Sequence, residues 1–307
     1  MGERDIEEKI LEDYNDVFAD IINVLLFNGK QTVKPEQLEN SKDRSMFKAS
    51  NGRITDQERD VFKWWKKSRI KISLFGLENQ TNPDPDMCFR LLGYDGAAYK
   101  SQYGSKKTKY PVITLVLFMN YKEHWCNNKR TLFDCLDIPY ELKPYVNDYK
   151  MNLFEIAWLS DEQVKMFKSD FRIVADYLVQ MRTNKEYRPS PQVIKHVDEI
   201  MKLMVSLTGD TRFTDVMSDE KIREKEMVSM CEALDIIQKR GEKIGEKRGE
   251  KIGEKRGNFM KIVEIVNNFV AKKALTQKAA CEELSIDYKE YLAAKRYIKK
   301  LETAQSR

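Results

Sequence analysis

The chain has 307 residues, 41% of them hydrophobic and 34% charged, with a net charge of +5. That is long enough for one large core or two modest domains, and more charged than most globular proteins. Five cysteines without paired spacing and only two histidines, His124 and His196, argue against zinc knuckles, a disulfide framework, multi-histidine metal centres and Ser-His-Asp catalysis.

The first residues, MGERDIEEKI, lack an apolar signal core, and the longest apolar run, residues 111–119, is strand-sized. A spanning helix needs ~20 apolar residues, so a cytoplasmic protein with no membrane partner is expected. Residues 5–27 place Ile6, Ile10, Tyr14, Val17, Phe18, Ile21, Val24 and Leu25 at helical spacing, and Asn28-Gly29 predicts the stop. A polar loop follows to about residue 53. Residues 61–65 and 70–77, rich in β-branched and aromatic side chains, predict two strands joined by residues 66–69. Beyond a break at residues 83–85, residues 87–103 have helical spacing, and residues 110–121 read as a central strand. Helix, strand, strand, helix, strand is an α/β order, with the second helix crossing between sheet strands. Residues 131–207 read as mostly helical, with 170–181 amphipathic, and complete a first domain over residues 1–218.

From about residue 219 the character changes. The stretch RGEKIGEKRGEKIGEKRG at residues 240–257 repeats an eight-residue block built on Gly-Glu-Lys-X. Its strict spacing of four, with no preceding strand, does not fit a phosphate-binding glycine loop. Two readings of residues 219–258 stay open. One is a solvated charged helix or linker. The other is an association helix whose glycine stripe admits a second copy, giving a homo-oligomer through the C-terminal region. Each interior glycine costs a helix about 1 kcal/mol relative to alanine, so the segment is weak alone.

Residues 259–307 regain apolar periodicity. Within them, residues 275–296 carry a small-residue helix, a break at Ser285-Ile286 and a capping pair, Asp287 with Glu290. That outline fits a helix-turn-helix or an ordinary αα-hairpin. The second helix would present Lys289, Lys295, Arg296 and Lys299. Residues 240–307 hold 17 Lys+Arg against 10 Asp+Glu, leaving 37 against 39 for residues 1–239. The asymmetry points to DNA or another anionic partner, although basic tails also serve solubility alone.

The stretch ISLFGLENQT at residues 72–81 raises the chemical question. On a strand Ile72, Leu74, Gly76, Glu78 and Gln80 share one face. A buried charge costs several kcal/mol unless paired or metal-bound. If the two strands are antiparallel neighbours, Asp60 at the start of one lies beside Glu78 at the end of the other. Two carboxylates there would suit Mg2+ or another hard divalent cation, and Gln80 could hold a water by its amide. The alternative is exposed strand-end residues with no ligand.

Asp60 followed by Glu78-X-Gln80 resembles the Glu-X-Gln variant of the PD-(D/E)XK nuclease superfamily. More narrowly, most of the chain resembles the Rpn family of recombination-promoting nucleases and transposase-like proteins, also called YhgA-like. The resemblance rests on NDVFAD at 15–20, Arg59-Asp60, LENQT at 77–81, FRLL at 89–92, YPVITLV at 110–116 and PYVNDYK at 144–150, with the Gly-Glu-Lys repeat before a short C-terminal segment. It implies a restriction-endonuclease-like α/β core, with a mixed central sheet flanked by helices and a helical C-terminal extension. It also implies an Mg2+-dependent DNA endonuclease tied to recombination or mobile elements. By this resemblance Asp60 and Glu78 bind the metal, and Asp20, or Asp16 one turn away, adds an acid from the first helix. Gln80 stands where many relatives carry lysine; an amide can orient water but cannot stabilise charge as lysine does. Arg90 faces a phosphate or plain solvent. The transposase label does not imply strand transfer, which uses a different acidic triad on a different fold. A noncatalytic DNA-binding or assembly protein on the same fold is the second hypothesis, and the intact Asp60, Glu78, Gln80 set favours the enzyme.

Overall fold

The structure, a computed structural model, describes residues 3–41, 45–48, 54–57, 61–67, 70–104, 106, 108–125, 129–217, 222 and 228–305. The chain divides into two compact units, Met1–Leu234 and Asp235–Arg307.

Helices α1 (Glu3–Glu12) and α2 (Asn15–Phe27) open the first unit. They are followed by β1 (Leu38–Asn40), β2 (Ser45–Lys48), β3 (Ile54–Gln57), β4 (Val61–Lys67) and β5 (Ile70–Gln80). Helix α3 (Met87–Lys100) then leads to β6 (Val112–Phe118). After α4 (Leu132–Cys135), β7 (Asn152–Glu155) completes a five-stranded mixed sheet in the order β1-β4-β5-β6-β7. Helices α5 (Asp161–Met166), α6 (Phe171–Thr183), α7 (Val197–Thr208) and α8 (Arg212–Met217) follow. The pair β8 (Val193–Ile194) and β9 (Val228–Ser229) and the hairpin β2–β3 stand apart from the main sheet.

The two strands expected as neighbours are antiparallel, with Val61 opposite Leu77 and Trp64 opposite Leu74. β5, β6 and β7 run parallel, and α3 makes the crossover from β5 to β6. Both faces of the sheet are covered. On one, α3 packs Leu91 and Tyr94 against Val116 and Phe118, and Ala98 against Phe62, Trp64 and Leu74. On the other, Glu12 of α1 meets Asn79, Asp13 between the two helices meets Lys63, and the ring of Phe18 on α2 lies 5.7 Å from Nζ of Lys63. A strand buried on both sides needs apolar residues at nearly every position, which is why β6 reads as an unbroken run.

Three elements differ from expectation. The helix expected over residues 5–27 is broken at Asp13-Tyr14, where Tyr14 is extended (φ −70, ψ 128). The break leaves the Asp13 carbonyl free to accept from Nζ of Lys63 at 2.8 Å, beside the Asp13 carboxylate at 2.9 Å and Oδ1 of Asn40. The Lys63 side chain is 0% exposed, and an ammonium out of water must be surrounded by acceptors. In an unbroken helix the Asp13 carbonyl would accept the amide of residue 17 instead. The polar segment before residue 53 contains β1, which pairs with β4 at the sheet edge yet has a single apolar residue, Leu38. β7 lies inside the stretch expected to be helical; four residues are too short to show alternation. The stop at Asn28-Gly29 is as expected, both residues being left-handed (φ 51 and 80).

Helix α9 (Met230–Lys273), of which residues 235–273 belong to the second unit, contains the whole glycine repeat, and α10 (Gln277–Glu283) and α11 (Tyr288–Gln305) follow. Val266, Ala280, Cys281 and Tyr291 form a small core with Phe269, Leu284 and Leu292. Among the described residues no helix is long and apolar enough to cross a membrane.

A Cβ built at Gly241, Gly245, Gly249, Gly253 or Gly257 meets nothing within 4 Å. Replacing Gly245, Gly249 and Gly253 by alanine should therefore stabilise α9 by up to about 1 kcal/mol per site. Circular dichroism should show more helix and a higher melting midpoint for the triple variant. An unchanged or lower midpoint would contradict a continuous helix through the repeat.

Candidate active site

The end of β5 divides its side chains between two helical layers. Glu78, paired with Val116 of β6, turns toward α3 and is 1% exposed. Nη2 of Arg90, in the first turn of α3, lies 3.4 Å from Oε2 of Glu78, and Nη1 donates to Asp84 at 2.7 Å. The hydroxyl of Tyr94, one helical turn from Arg90, is 3.4 Å from the same guanidinium. Burial disfavours the Arg90 charge, but hydrogen bonds with Asp84 and Tyr94 and the charge of Glu78 outweigh it and raise its pKa above the ordinary arginine value. The arginine expected at a phosphate or in solvent is thus shared between two carboxylates.

Asn79 points the other way and donates to Glu12 of α1 at 2.8 Å. Gln80 returns to the Glu78 face, partly buried, and its carbonyl accepts from the amide of Met119 at 2.9 Å. Further under α3, the buried Asp95 carboxylate accepts from Thr114 at 2.7 Å and from the Tyr149 hydroxyl. Asp60 lies outside the described residues; the described ladder begins at Val61 opposite Leu77.

Neither first-helix acid is brought to Glu78. Asp20, 5% exposed, accepts the backbone amides of Lys168 and Ser169, each at 2.7 Å. Asp16 meets Nζ of Lys195 at 2.7 Å and Nε2 of His196 at 3.1 Å. Both acids sit on α2, across the sheet from α3, and tie α2 to segments roughly half the chain away. Among the described residues no group of three or more His, Cys, Asp or Glu side chains is gathered to hold a metal. The oxygen donors Glu78 and Asp84 are nonetheless of the kind that suits a hard cation.

Asp84, Tyr94 and Asp95 were not singled out by the sequence. The Arg90–Tyr94 spacing of four was a visible signal; the return of Asp84 onto Arg90 depends on the turn after β5. Lys289, Lys295, Arg296 and Lys299 all lie exposed on α11, in the second unit. Lys295 reaches Oε1 of Gln277 at 3.4 Å.

Residues 74–209 match the model of a family described as "Putative transposase, YhgA-like". That is the family the sequence resembles, and the matched stretch takes in Glu78, Gln80, Asp84, Arg90 and Asp95. No curated protein and no solved structure matches the chain.

The α2 contacts carry a pH signature. Burial alone would raise the pKa of Asp16, but hydrogen bonds from Lys195 and His196 outweigh it and hold the carboxyl below its ordinary value. A depressed folded pKa gives stability that is present above the unfolded value, about 3.9, and is lost as pH falls through the folded one. Asp16→Asn should cost about 1–2 kcal/mol at neutral pH, and its deficit against wild type should shrink below about pH 4. Urea midpoints across pH measure this; a deficit independent of pH would contradict the assignment.

Proposed function

From the YhgA-like match over residues 74–209 we propose that the chain is a nuclease of a family associated with mobile DNA, hydrolysing DNA phosphodiester bonds through Asp60, Glu78 and Gln80. The observation that carries the reading is the carboxylate of Glu78, buried at the end of a central strand, with an amide two residues on the same face. A charge in that position needs a partner to justify its burial.

Mg2+ or another hard divalent cation is the cofactor this donor set would take. Asp60 immediately precedes Val61, and Glu78 immediately follows Leu77, the residue paired with Val61. Those two carboxylates would hold the cation, whose bound form polarises a phosphodiester and lowers the pKa of water. Gln80 would orient the attacking water by its amide. Arg90 gives Glu78 a partner of opposite charge in the absence of cation.

A second reading has its own support. The Arg90–Glu78 pair and the Asp84 contact would satisfy the buried acid without any cation, as in a noncatalytic DNA-binding protein that keeps the fold. Nicking of supercoiled plasmid separates the two. The nuclease reading expects cleavage with Mg2+, none in EDTA, and a fall for Glu78→Gln larger than the 10–100-fold typical of residues that only support a metal ligand. Gln80→Lys should retain or raise the rate and Gln80→Leu should lose it. Full activity in Glu78→Gln, or none in wild type with any divalent cation, would leave the noncatalytic reading.

A further inference from the structure

We propose that α11 is a DNA recognition helix that enters the major groove of duplex DNA and presents Lys289, Arg296 and Lys300 to it. The proposal shares with the nuclease reading only the choice of DNA as ligand.

The local geometry supplies the parts of a helix-turn-helix. Thr276 caps α10 by accepting the amide of Ala279 at 3.3 Å. The four residues 284–287 then turn the chain. Ser285 is left-handed (φ 55), and the amide of Ile286 returns to the carbonyl of Cys281 at 2.9 Å. Asp287 accepts the amide of Lys289 at 2.9 Å and so starts α11. A short helix, a turn of three to four residues and a longer second helix are the parts of the DNA-binding motif.

Packing fixes which face of α11 is outside. Tyr291 and Ala294 are fully buried, Tyr291 in the core with Ala280, Cys281 and Val266. At about 100° per residue, the opposite face carries Lys289, Ala293, Arg296 and Lys300, all exposed, with Lys299 alongside. Three cations and one small residue occupy that stripe, and no carboxylate does. Lys295 lies off it, beside Gln277 of α10, so the contact set read from sequence exchanges Lys295 for Lys300. An α-helix of about 10–12 Å diameter fits the B-form major groove, about 12 Å wide. Ala293 at the centre of the stripe allows close approach, and the cations on either side of it match the phosphate rows.

The test uses the full-length chain in EDTA, with a fluorescent DNA duplex titrated at several salt concentrations. Arg296→Ala with Lys300→Ala should weaken binding about 10-fold or more near 0.1 M salt and flatten the log–log salt slope by about 1.8, two phosphates at 0.9 each. Lys247→Ala with Lys251→Ala, in the repeat, should change affinity less than about 2-fold. Competition with an RNA duplex of the same sequence should be weak, because the A-form major groove is too narrow for a side-chain readout. Unchanged affinity and slope in the first pair, equal losses in both pairs, or equal competition by RNA would each overturn the proposal. Circular dichroism confirms that both pairs keep their helix. Binding is read here in EDTA and cleavage with Mg2+, so a failure of cleavage and a failure of this helix are read separately.

Discussion

A strand covered by helices on both faces keeps water from its buried side chains, so Glu78 and Asn79 near the end of β5 must find partners in one layer or the other. The pleat decides which. Glu78 goes to Arg90 of α3, and Asn79 goes to Glu12 of α1. One strand over, Lys63 is sealed from water and met by Asp13 and Asn40. The interruption between α1 and α2 follows from that demand, since a continuous helix would have engaged the Asp13 carbonyl itself. The order of the first unit is therefore set as much by where buried charges are satisfied as by apolar packing.

Much of this was legible in the residues. Adjacent β-branched and aromatic runs gave β4 and β5, a helical run between strands gave the α3 crossover, and an unbroken apolar run gave β6. The alternation at residues 72–80 put Glu78 and Gln80 on one buried face. What was not legible depends on contacts distant in sequence. Asp16 and Asp20 look alike on a helical wheel, and both are claimed by residues more than 140 positions away, in 168–169 and 195–196. β1 and β7 are too short to show a period, and each is held by the neighbour it pairs with. Asp84 reads as a turn residue between two prolines, yet its carboxylate is what steadies Arg90 beside Glu78.

The two units carry opposite electrostatic problems. In the first, a carboxylate is taken out of water, where a single arginine is a weak source of net stability because both ions lose hydration. Such an arrangement is retained more readily when the acid has chemistry to perform. In the second, cations stand in water on a helix whose other side is a small core of Val266, Ala280, Cys281 and Tyr291. Exposed lysines add little to folding, so a stripe of them free of carboxylates bears on what the helix meets. The proposed chemistry and the proposed recognition thus come from different parts of the chain and from different physics, one from burial and the other from exposure.

The central claim is that Glu78 is a cation ligand in waiting rather than a structural partner of Arg90. Linkage between cation and folding tests it without any substrate: urea unfolding of wild type and Glu78→Gln, each with and without Mg2+. A ligand that binds only the folded state adds RT ln(1 + [L]/Kd), about 2.7 kcal/mol at a 100-fold excess over Kd. The account predicts a gain of that kind for wild type, growing with cation concentration, and none for Glu78→Gln. The same gain in both proteins, or no gain in wild type at any cation concentration, would contradict it.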